Sequence, residues 1–146
     1  FYTGHMDLQR GDGLFGSIVV REYDKDNDYL GKYDFDLSEH VIVLNDWKND
    51  TAYTFYKIAD YYIDAILING KGVMIKYLDD FDRIYQTPRA VFNVKYGFRY
   101  RFRIINAGYL FCPMQFIIDS HNLTIIAADG TFIQPTQVNS LVIYAG

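Results

Sequence analysis

Cysteine and histidine are scarce in this sequence, and their scarcity excludes several kinds of site. Cys112 is the only cysteine among the 146 residues, so no disulfide can form within the chain. The three histidines, His5, His40 and His121, provide no evident pair of a nucleophile and a base, so the sequence does not support hydrolase chemistry. A blue-copper centre needs two histidines beside its cysteine, and Cys112 has only His121 nearby.

Long apolar runs and an excess of basic residues are also absent. No apolar run approaches the roughly 18–20 residues that a helix needs to cross a bilayer, so we expect no membrane span. The 14 Lys and Arg residues are outnumbered by 18 Asp and Glu residues, which gives a net charge of −4. Nucleic-acid binding usually requires a basic face, and we therefore do not expect nucleic acid as a partner.

Apolar and aromatic residues are plentiful and occur in short runs. Half of the residues are hydrophobic and 18% are aromatic, which is enough to build the core of one compact domain. Runs rich in β-branched and aromatic residues, bounded by turn residues, predict strands. These runs lie at 17–21, 40–44, 65–68, 90–94, 98–105, 115–118, 123–128 and 140–144. Their number and spacing predict an all-β sandwich or barrel.

The run at 98–105 alternates between apolar residues and three arginines, Arg99, Arg101 and Arg103. Successive side chains of a strand point to opposite faces, so the arginines share one face. Because the chain is acidic, we expect these arginines to form ion pairs with Asp or Glu on a neighbouring strand rather than to bind phosphate.

Several segments predict turns. Asn69-Gly70 and Asp129-Gly130 are dipeptides that tolerate positive φ and close tight turns between strands. The segment 51–62 has no clean periodicity and is expected to hold a helical turn or two within a loop. Residues 11–16 match the G-x-G-x-x-G pattern of dinucleotide sites, but a strand pattern follows them where a helix is required, so we interpret them as a tight turn.

The first sixteen residues carry a family resemblance. His5 follows the aromatic pair Phe1-Tyr2 and precedes Gln9 and a turn rich in Gly and Asp. This order resembles a copper-binding segment of laccase-type multicopper oxidases, in which two histidines ligate the paired type 3 coppers. Further blocks resemble second-domain sequence of arthropod-type laccases in the expected order, at 40–47, 66–72, 99–108 and 119–130. The resemblance implies a cupredoxin-like Greek-key β-sandwich or barrel.

The resemblance also implies a domain division. Residues 1–22 would be the C-terminal end of a first cupredoxin-like domain, 23–37 an interdomain linker, and 38–146 a truncated second cupredoxin-like domain. A complete family member has three such domains, so we expect the chain to be a piece of a longer protein. The remaining domains of that parent would be its partners.

Copper ligation is incomplete in this piece. His5 matches one type 3 copper ligand of the family, whereas Thr3 occupies the position of its histidine partner. A threonine hydroxyl is a poor copper ligand compared with imidazole. The resemblance therefore implies copper in the parent, with His5 as a ligand, but we do not expect this chain alone to bind copper stably. We expect no catalytic residue here, and substrate-binding residues stay unassigned.

Two functions are open. The first is a fragment of a secreted laccase-like oxidase whose parent oxidises phenolic donors by one-electron steps and reduces O2 to water. This piece would be scaffold and pocket wall, inactive alone, with a phenolic small molecule as a further partner. Pro113 stands where fungal members place an acidic pocket residue, which argues against substrate contact by that route. The second is a copper-free, non-enzymatic extracellular binding or structural protein, which Thr3, Met6 and Asp7 favour because the family prefers other residues there.

Two sequons fit a secreted glycoprotein, Asn49-Asp50-Thr51 and Asn122-Leu123-Thr124. We expect glycosylation at Asn49. Asn122 leads directly into an apolar strand pattern, where a glycan would be hard to accommodate. In related fungal laccases a cysteine at the place of Cys112 bridges to the first domain, but the matching position here is Gly11. The resemblance therefore leaves Cys112 without that partner, and we expect a buried free thiol.

Overall fold

The computed structural model describes residues 1–6, 8–23, 27, 29–59, 62–73, 88–110 and 113–146. Within these residues the chain is built from short strands and one short helix, so the predicted all-β class is confirmed. The strands are β1 (Tyr2–Thr3), β2 (Phe15–Gly16), β3 (Val41–Trp47), β4 (Ala65–Ile68), β5 (Arg103–Asn106), β6 (Met114–Phe116), β7 (Leu123–Ala128), β8 (Thr131–Val138) and β9 (Leu141–Ile143). The helix is α1 (Ala52–Lys57), and one 3-10 turn covers Ser38–His40.

Strand β3 is the centre of the fold. It pairs antiparallel with β4 and parallel with β5, so it has a neighbour on each side. Five of its seven residues are buried, as expected for a central strand with both faces covered. Ile42 and Leu44 form the buried core with Met114 of β6. The residues that pack around this core are Ile68, Phe92, Phe102, Ile104, Phe116 and Ile143.

Three antiparallel ribbons complete the described fold. Strand β1 pairs with β2, β6 pairs with β9, and β7 pairs with β8. Strand β8 was not predicted from the sequence; it contains Pro135, a residue that cannot donate to a ladder. The pairing of β7 with β8 shifts register between Ile125 and Ala127, and this irregularity accommodates the proline.

Both predicted turn dipeptides close turns with left-handed backbone. Asn69 and Gly70 have φ of 51° and 72°, and Asp129 and Gly130 have φ of 48° and 77°. Two consecutive residues with positive φ are the pattern of a type I′ turn, whose twist matches that of the paired strands. The turn predictions at 69–70 and 129–130 are therefore confirmed.

Gly130 provides a test of this turn. A Cβ at Gly130 would meet nothing within 4 Å, so only the positive φ opposes a side chain there. We expect Gly130→Ala to lower the free energy of unfolding by about 1 kcal/mol, because L-residues are disfavoured in left-handed backbone. Gly146→Ala is the control, since a Cβ there also meets open space but no positive φ is involved. Equal urea midpoints for the two variants would contradict the argument.

Helix α1 confirms the helical turns expected within 51–62. The Thr51 side chain accepts a hydrogen bond from the backbone N–H of Thr54 at 3.3 Å, which satisfies one of the free donors at the start of the helix. Ala52 and Phe55 are the buried residues of the helix. The helix is therefore anchored to the fold by this one face.

Three strand predictions are wrong in whole or in part. Residues 17–21 and 90–94 are not strands, and of the run 98–105 only 103–105 lie in β5. In the first two of these runs, Ile18, Val20 and Val91 are exposed, at 60%, 82% and 76%. High β-propensity does not make a strand without a neighbouring strand, and the described residues pair with neither 17–21 nor 90–94. Tyr100 forms only an isolated bridge, with Phe35.

Candidate functional site

His5 lies beside a small hairpin formed by β1 and β2. Thr3 pairs with Phe15, and the next residue continues the pairing because the Gly4 N–H donates to the Leu14 carbonyl at 2.7 Å. His5 follows directly, where the chain leaves the hairpin, and its side chain is exposed. Thr3 is also exposed. Both positions of the ligand motif are therefore open to solvent in this chain.

The loop after His5 is a series of turns. The Gly13 N–H donates to the Arg10 carbonyl at 3.1 Å, and the Leu14 N–H donates to the Gln9 carbonyl at 3.0 Å. Gly13 has φ of +96°, and a Cβ there would lie 3.7 Å from the Trp47 ring. The turn predicted for 11–16 is confirmed at 11–13, whereas Phe15 and Gly16 already belong to β2. The turn brings backbone against Trp47 of β3.

Asp12 and Gly11 attach this loop to helix α1. The Asp12 Oδ1 accepts the Ala52 backbone N–H at 2.7 Å, so it satisfies a second free donor at the helix start. Gly11 lies so close to Ala52 that a Cβ would be 2.8 Å from that residue's Cβ, and 3.1 Å from the Tyr109 ring. A side chain at position 11 would therefore force helix α1 or Tyr109 to move. Cys112 itself lies outside the described residues.

A buried carboxylate holds the turn that follows β5. Asp46 of β3 is 8% exposed, and its two oxygens accept the backbone N–H groups of Tyr109 and Leu110 at 2.8 and 2.9 Å. Asn106 assists, because its Oδ1 accepts the Gly108 N–H at 2.9 Å and its Nδ2 donates to the Ile143 carbonyl at 2.8 Å. These two side chains fix the backbone from 106 to 110. Sequence reasoning missed both, since neither belongs to a motif whose spacing signals a site.

These contacts create a shallow cleft between the loop and the body of the fold. Its walls are aromatic, and one carboxylate and one ammonium group line it. The lining residues are Gly11, Asp46, Trp47, Lys48, Phe55, Tyr109 and Leu110. Lys48 Nζ lies 6.0 Å from the centre of the Phe55 ring, and Tyr109 and Phe55 contact edge to face.

The three histidines lie on separate elements. His40 is buried at 1% exposure between the rings of Tyr100 and Phe102, and only its Nδ1 has a partner, the Leu37 N–H at 3.4 Å. Its Nε2 has no hydrogen-bond partner among the described residues. The His121 Nδ1 donates to the Asp119 carbonyl at 2.8 Å just before β7.

This donor set does not fit a copper centre formed by the chain alone. Copper sites in proteins group imidazole, thiolate or carboxylate donors around one point. In the described part of the chain no three His, Cys, Asp or Glu side chains come together in that way. His5 is exposed near the hairpin, while the buried His40 ring is enclosed by aromatic side chains. We therefore derive no chemical step through copper for this chain.

The arginines of 98–105 form ion pairs, as predicted. Arg103 donates two hydrogen bonds to the Asp36 carboxylate, Nη2 to Oδ2 at 2.7 Å and Nη1 to Oδ1, while Arg101 Nη1 lies 3.6 Å from the same group. Arg99 binds Asp34 in the same paired manner, at 2.9 and 3.2 Å. The aspartates lie on the segment before the 3-10 turn, not on a neighbouring strand as predicted. Backbone hydrogen bonds also join this segment to the run, because the Asp34 and Phe35 N–H groups donate to the Arg99 carbonyl at 2.8 and 3.2 Å, and the Arg101 N–H donates to the Phe35 carbonyl at 2.9 Å. The ion pairs therefore reinforce a short backbone contact.

These pairs alter the acidity of the aspartates. The hydrogen bonds from Arg103 hold the pKa of Asp36 below its ordinary value, against the opposing effect of partial burial. Arg99 lowers the pKa of Asp34 in the same way. Arg21 adds a third contact to the Asp36 region, because its guanidinium donates to the Asp36 carbonyl at 3.2 Å. Asp36 thus connects the segment near residue 21 with β5.

Comparisons with known proteins agree with this all-β arrangement. The family model described as multicopper oxidase matches residues 38–146. Laccase-4 of Thanatephorus cucumeris is 37% identical over the whole chain, which covers 27% of that protein. Laccase-2 of Trametes versicolor is 39% identical over 99% of the chain, which covers 26% of that protein.

A solved structure matches as well. The structure of a mutant of the laccase from B. aclada matches 99% of this chain and 26% of its own, with a TM-score of 0.76 and 29% identity. The fold is thus the cupredoxin-like one that the sequence predicted. The chain belongs to the multicopper oxidase family. The relatives named here are fungal laccases, and the chain spans about a quarter of their length.

No helix in the described ranges is long and apolar enough to cross a membrane.

Proposed function

We propose that this chain is part of a secreted laccase-like multicopper oxidase, whose parent oxidises phenolic donors by one-electron steps and reduces O2 to water. Residues 1–22 would form the C-terminal end of a first cupredoxin-like domain, and residues 38–146 would form part of a second. Residues 23–37 would link the two domains. The observation that carries the proposal is the position of His5 immediately after the pairing of β1 with β2, in a loop that packs against the body of the fold. Its partners would be the remaining domains and a phenolic small molecule.

The role of this piece would be scaffold and pocket wall. Asp12 and Gly11 join the hairpin loop to α1, and Asp46 fixes the turn that contacts Gly11. Together these contacts hold the segment that bears His5 in a fixed relation to the sheet. In the parent, His5 would ligate a type 3 copper, with further ligands supplied by the other domains. Alone, the chain would not turn over phenols.

The test of His5 uses the full-length parent. We expect His5→Ala to lower its copper content, measured by mass spectrometry of the metal, and to abolish oxygen consumption with a phenol. His121→Gln is the matched control, because that ring is exposed and its Nδ1 is hydrogen-bonded to a backbone carbonyl. Unchanged copper in His5→Ala would remove the assigned role. For the isolated chain, stoichiometric copper together with phenol turnover would overturn its proposed inactivity.

A copper-free, non-enzymatic extracellular protein is the second candidate, and Thr3 favours it. Thr3 is exposed beside His5, so a histidine there would meet no steric obstacle from a buried environment. If the parent is an oxidase that lacks one copper ligand at position 3, Thr3→His should raise its copper content and its rate of phenol oxidation. If the parent contains no copper and Thr3→His changes nothing, the second candidate is correct.

Glycosylation at Asn49 is part of the proposal for a secreted protein. Asn49 and Thr51 are both exposed, in the loop between β3 and α1.

A further inference from the structure

A groove of about 280 Å³ lies beside the 3-10 turn, away from the hairpin loop that bears His5. Its aromatic wall is formed by Phe35 and Tyr100, whose rings stack with 5.1 Å between their centroids. Leu37 and Val94 also line the groove, and both are exposed apolar side chains. A concave and largely apolar surface with a few polar groups is the usual form of a site for a small molecule.

His40 is a polar residue of this groove whose hydrogen bonding is incomplete. Its buried ring lines the groove and meets the Tyr100 ring edge to face, with 5.1 Å between the centroids. The Nδ1 atom accepts the Leu37 N–H at 3.4 Å, so in the neutral imidazole the hydrogen is on Nε2. In the part of the chain that the structure describes, Nε2 has no hydrogen-bond partner. Buried donors are normally paired, so a ligand that brings an acceptor atom into the groove would complete the hydrogen bonding of His40.

Lys95 adds a positive charge to the same groove. Its backbone N–H donates to the Tyr100 hydroxyl at 2.8 Å, which attaches Lys95 to the ring that contacts His40. Lys95 is exposed, and none of the ion pairs found among the described residues involves it. An ammonium group and an imidazole N–H are both donors, and together they complement a carboxylate, which only accepts. Glu39 also lines the groove, but it is exposed, so water and salt screen its repulsion of an anion.

We propose that this groove binds a small aromatic carboxylic acid in its ionised form. One carboxylate oxygen accepts the His40 Nε2–H, and the Lys95 ammonium group pairs with the carboxylate. The aromatic ring of the ligand packs against the rings of Tyr100 and Phe35, and such ring contacts add to the gain from burying apolar area. The inference goes beyond the proposed function, because none of these residues belongs to the segment that bears His5. Binding involves no covalent or redox step.

Binding can be measured by titrating sodium benzoate, at constant ionic strength, into the full chain labelled with the heavy nitrogen isotope. We expect a saturable shift of the His40 Nε2 resonance, while the ring resonances of the exposed His5 and His121 stay unchanged. Benzyl alcohol keeps the aromatic ring but lacks the carboxylate, and it should bind about tenfold more weakly or worse, because hydrogen bonds to a charged group are the stronger ones. A His40 resonance that benzoate does not shift overturns the inference, and so does equal affinity for benzyl alcohol.

Variants identify the groups that bind the carboxylate. Lys95→Gln removes a charge from an exposed position and should weaken benzoate binding about two- to fivefold, the effect of one exposed ion pair. His40→Phe keeps a ring beside Tyr100 but removes the N–H, and should weaken binding about tenfold or more. Glu39→Gln is the matched control, because it removes only a repulsion and should bind benzoate at least as tightly as the wild-type protein.

Circular dichroism checks that each variant is folded. If His40→Phe does not fold, Lys95→Gln and the His40 resonance of the wild-type protein still decide the question. Wild-type affinity in a folded His40→Phe protein or in Lys95→Gln overturns the inference. Benzoate has no phenolic hydroxyl and the titration uses no copper, so failure here would leave the test of His5 in the parent unaffected.

Discussion

Replacement of Asp46 by alanine should lower the free energy of unfolding by roughly 3 kcal/mol, because two partly buried backbone N–H groups lose their acceptor and each unsatisfied donor costs about 1–3 kcal/mol. The two donors are the Tyr109 and Leu110 amides. Urea unfolding followed by circular dichroism measures the loss. The only tryptophan, Trp47, follows Asp46 directly and gives an independent local signal.

Asp46→Asn separates the carboxylate from the volume of the side chain. An amide keeps the size but turns one acceptor oxygen into a donor that faces a donor, so we expect a loss of about 2 kcal/mol. Asp50→Asn is the control, since Asp50 is exposed in the following loop. An Asp46→Ala protein as stable as the Asp50→Asn protein would show that the buried carboxylate does not hold the turn.

Asp36 should give the second large effect, and this effect should depend on pH. Asp36→Asn removes the charge that Arg101 and Arg103 share, and we expect a loss of about 2–3 kcal/mol at neutral pH, since leaving a partly buried charge unpaired is costly. The folded-state pKa of Asp36 lies below its unfolded value. Its contribution is therefore fully present above the unfolded pKa of about 4 and is lost as the pH falls through the folded pKa.

The difference in free energy of unfolding between the wild-type protein and Asp36→Asn should therefore become smaller as the pH falls below about 4. Urea unfolding at a series of pH values between neutral and strongly acidic measures it. Asp34→Asn is the matched control, because its pair with Arg99 is exposed and screened by solvent, so it should change the unfolding curve little. If the difference in free energy of unfolding between wild type and Asp36→Asn stayed constant across the acidic range, the charge of Asp36 would not be what stabilises its contact with Arg101 and Arg103.

Local patterns predicted much of the strand content and most of the turns. The runs 65–68 and 123–128 match β4 and β7, and the dipeptides at 69–70 and 129–130 form the turns that their residues favour. These features depend on side-chain alternation and on allowed φ angles, which the residues themselves determine. The strand predictions for 17–21 and 90–94 were wrong because strand formation does not depend on local residues alone. Strand formation requires a neighbour, and pairing is a property of distant parts of the chain.

Some residues of the candidate site could also be identified from the sequence, and others could not. The sequence identified His5 and Thr3 through their order beside aromatic, glycine and glutamine residues. It gave no sign of Asp46 or Asn106, since a single Asp or Asn has no motif, and only burial beside free backbone donors makes either of them important.

By itself the sequence determined the all-β class and the turns, because both follow from local patterns of residues. It determined the family through the order of blocks along the chain. It determined the pairing of the arginines with acidic residues through side-chain alternation and the net acidic charge. Only the tertiary structure decided that the hairpin loop bearing Asp12 caps α1, that Asp46 holds the 106–110 turn, and that Asp36 is the aspartate joining residue 21 to β5. These are contacts between residues 15 to 67 positions apart. Their physical origin is burial and hydrogen-bond satisfaction, which exist only once distant segments have packed together.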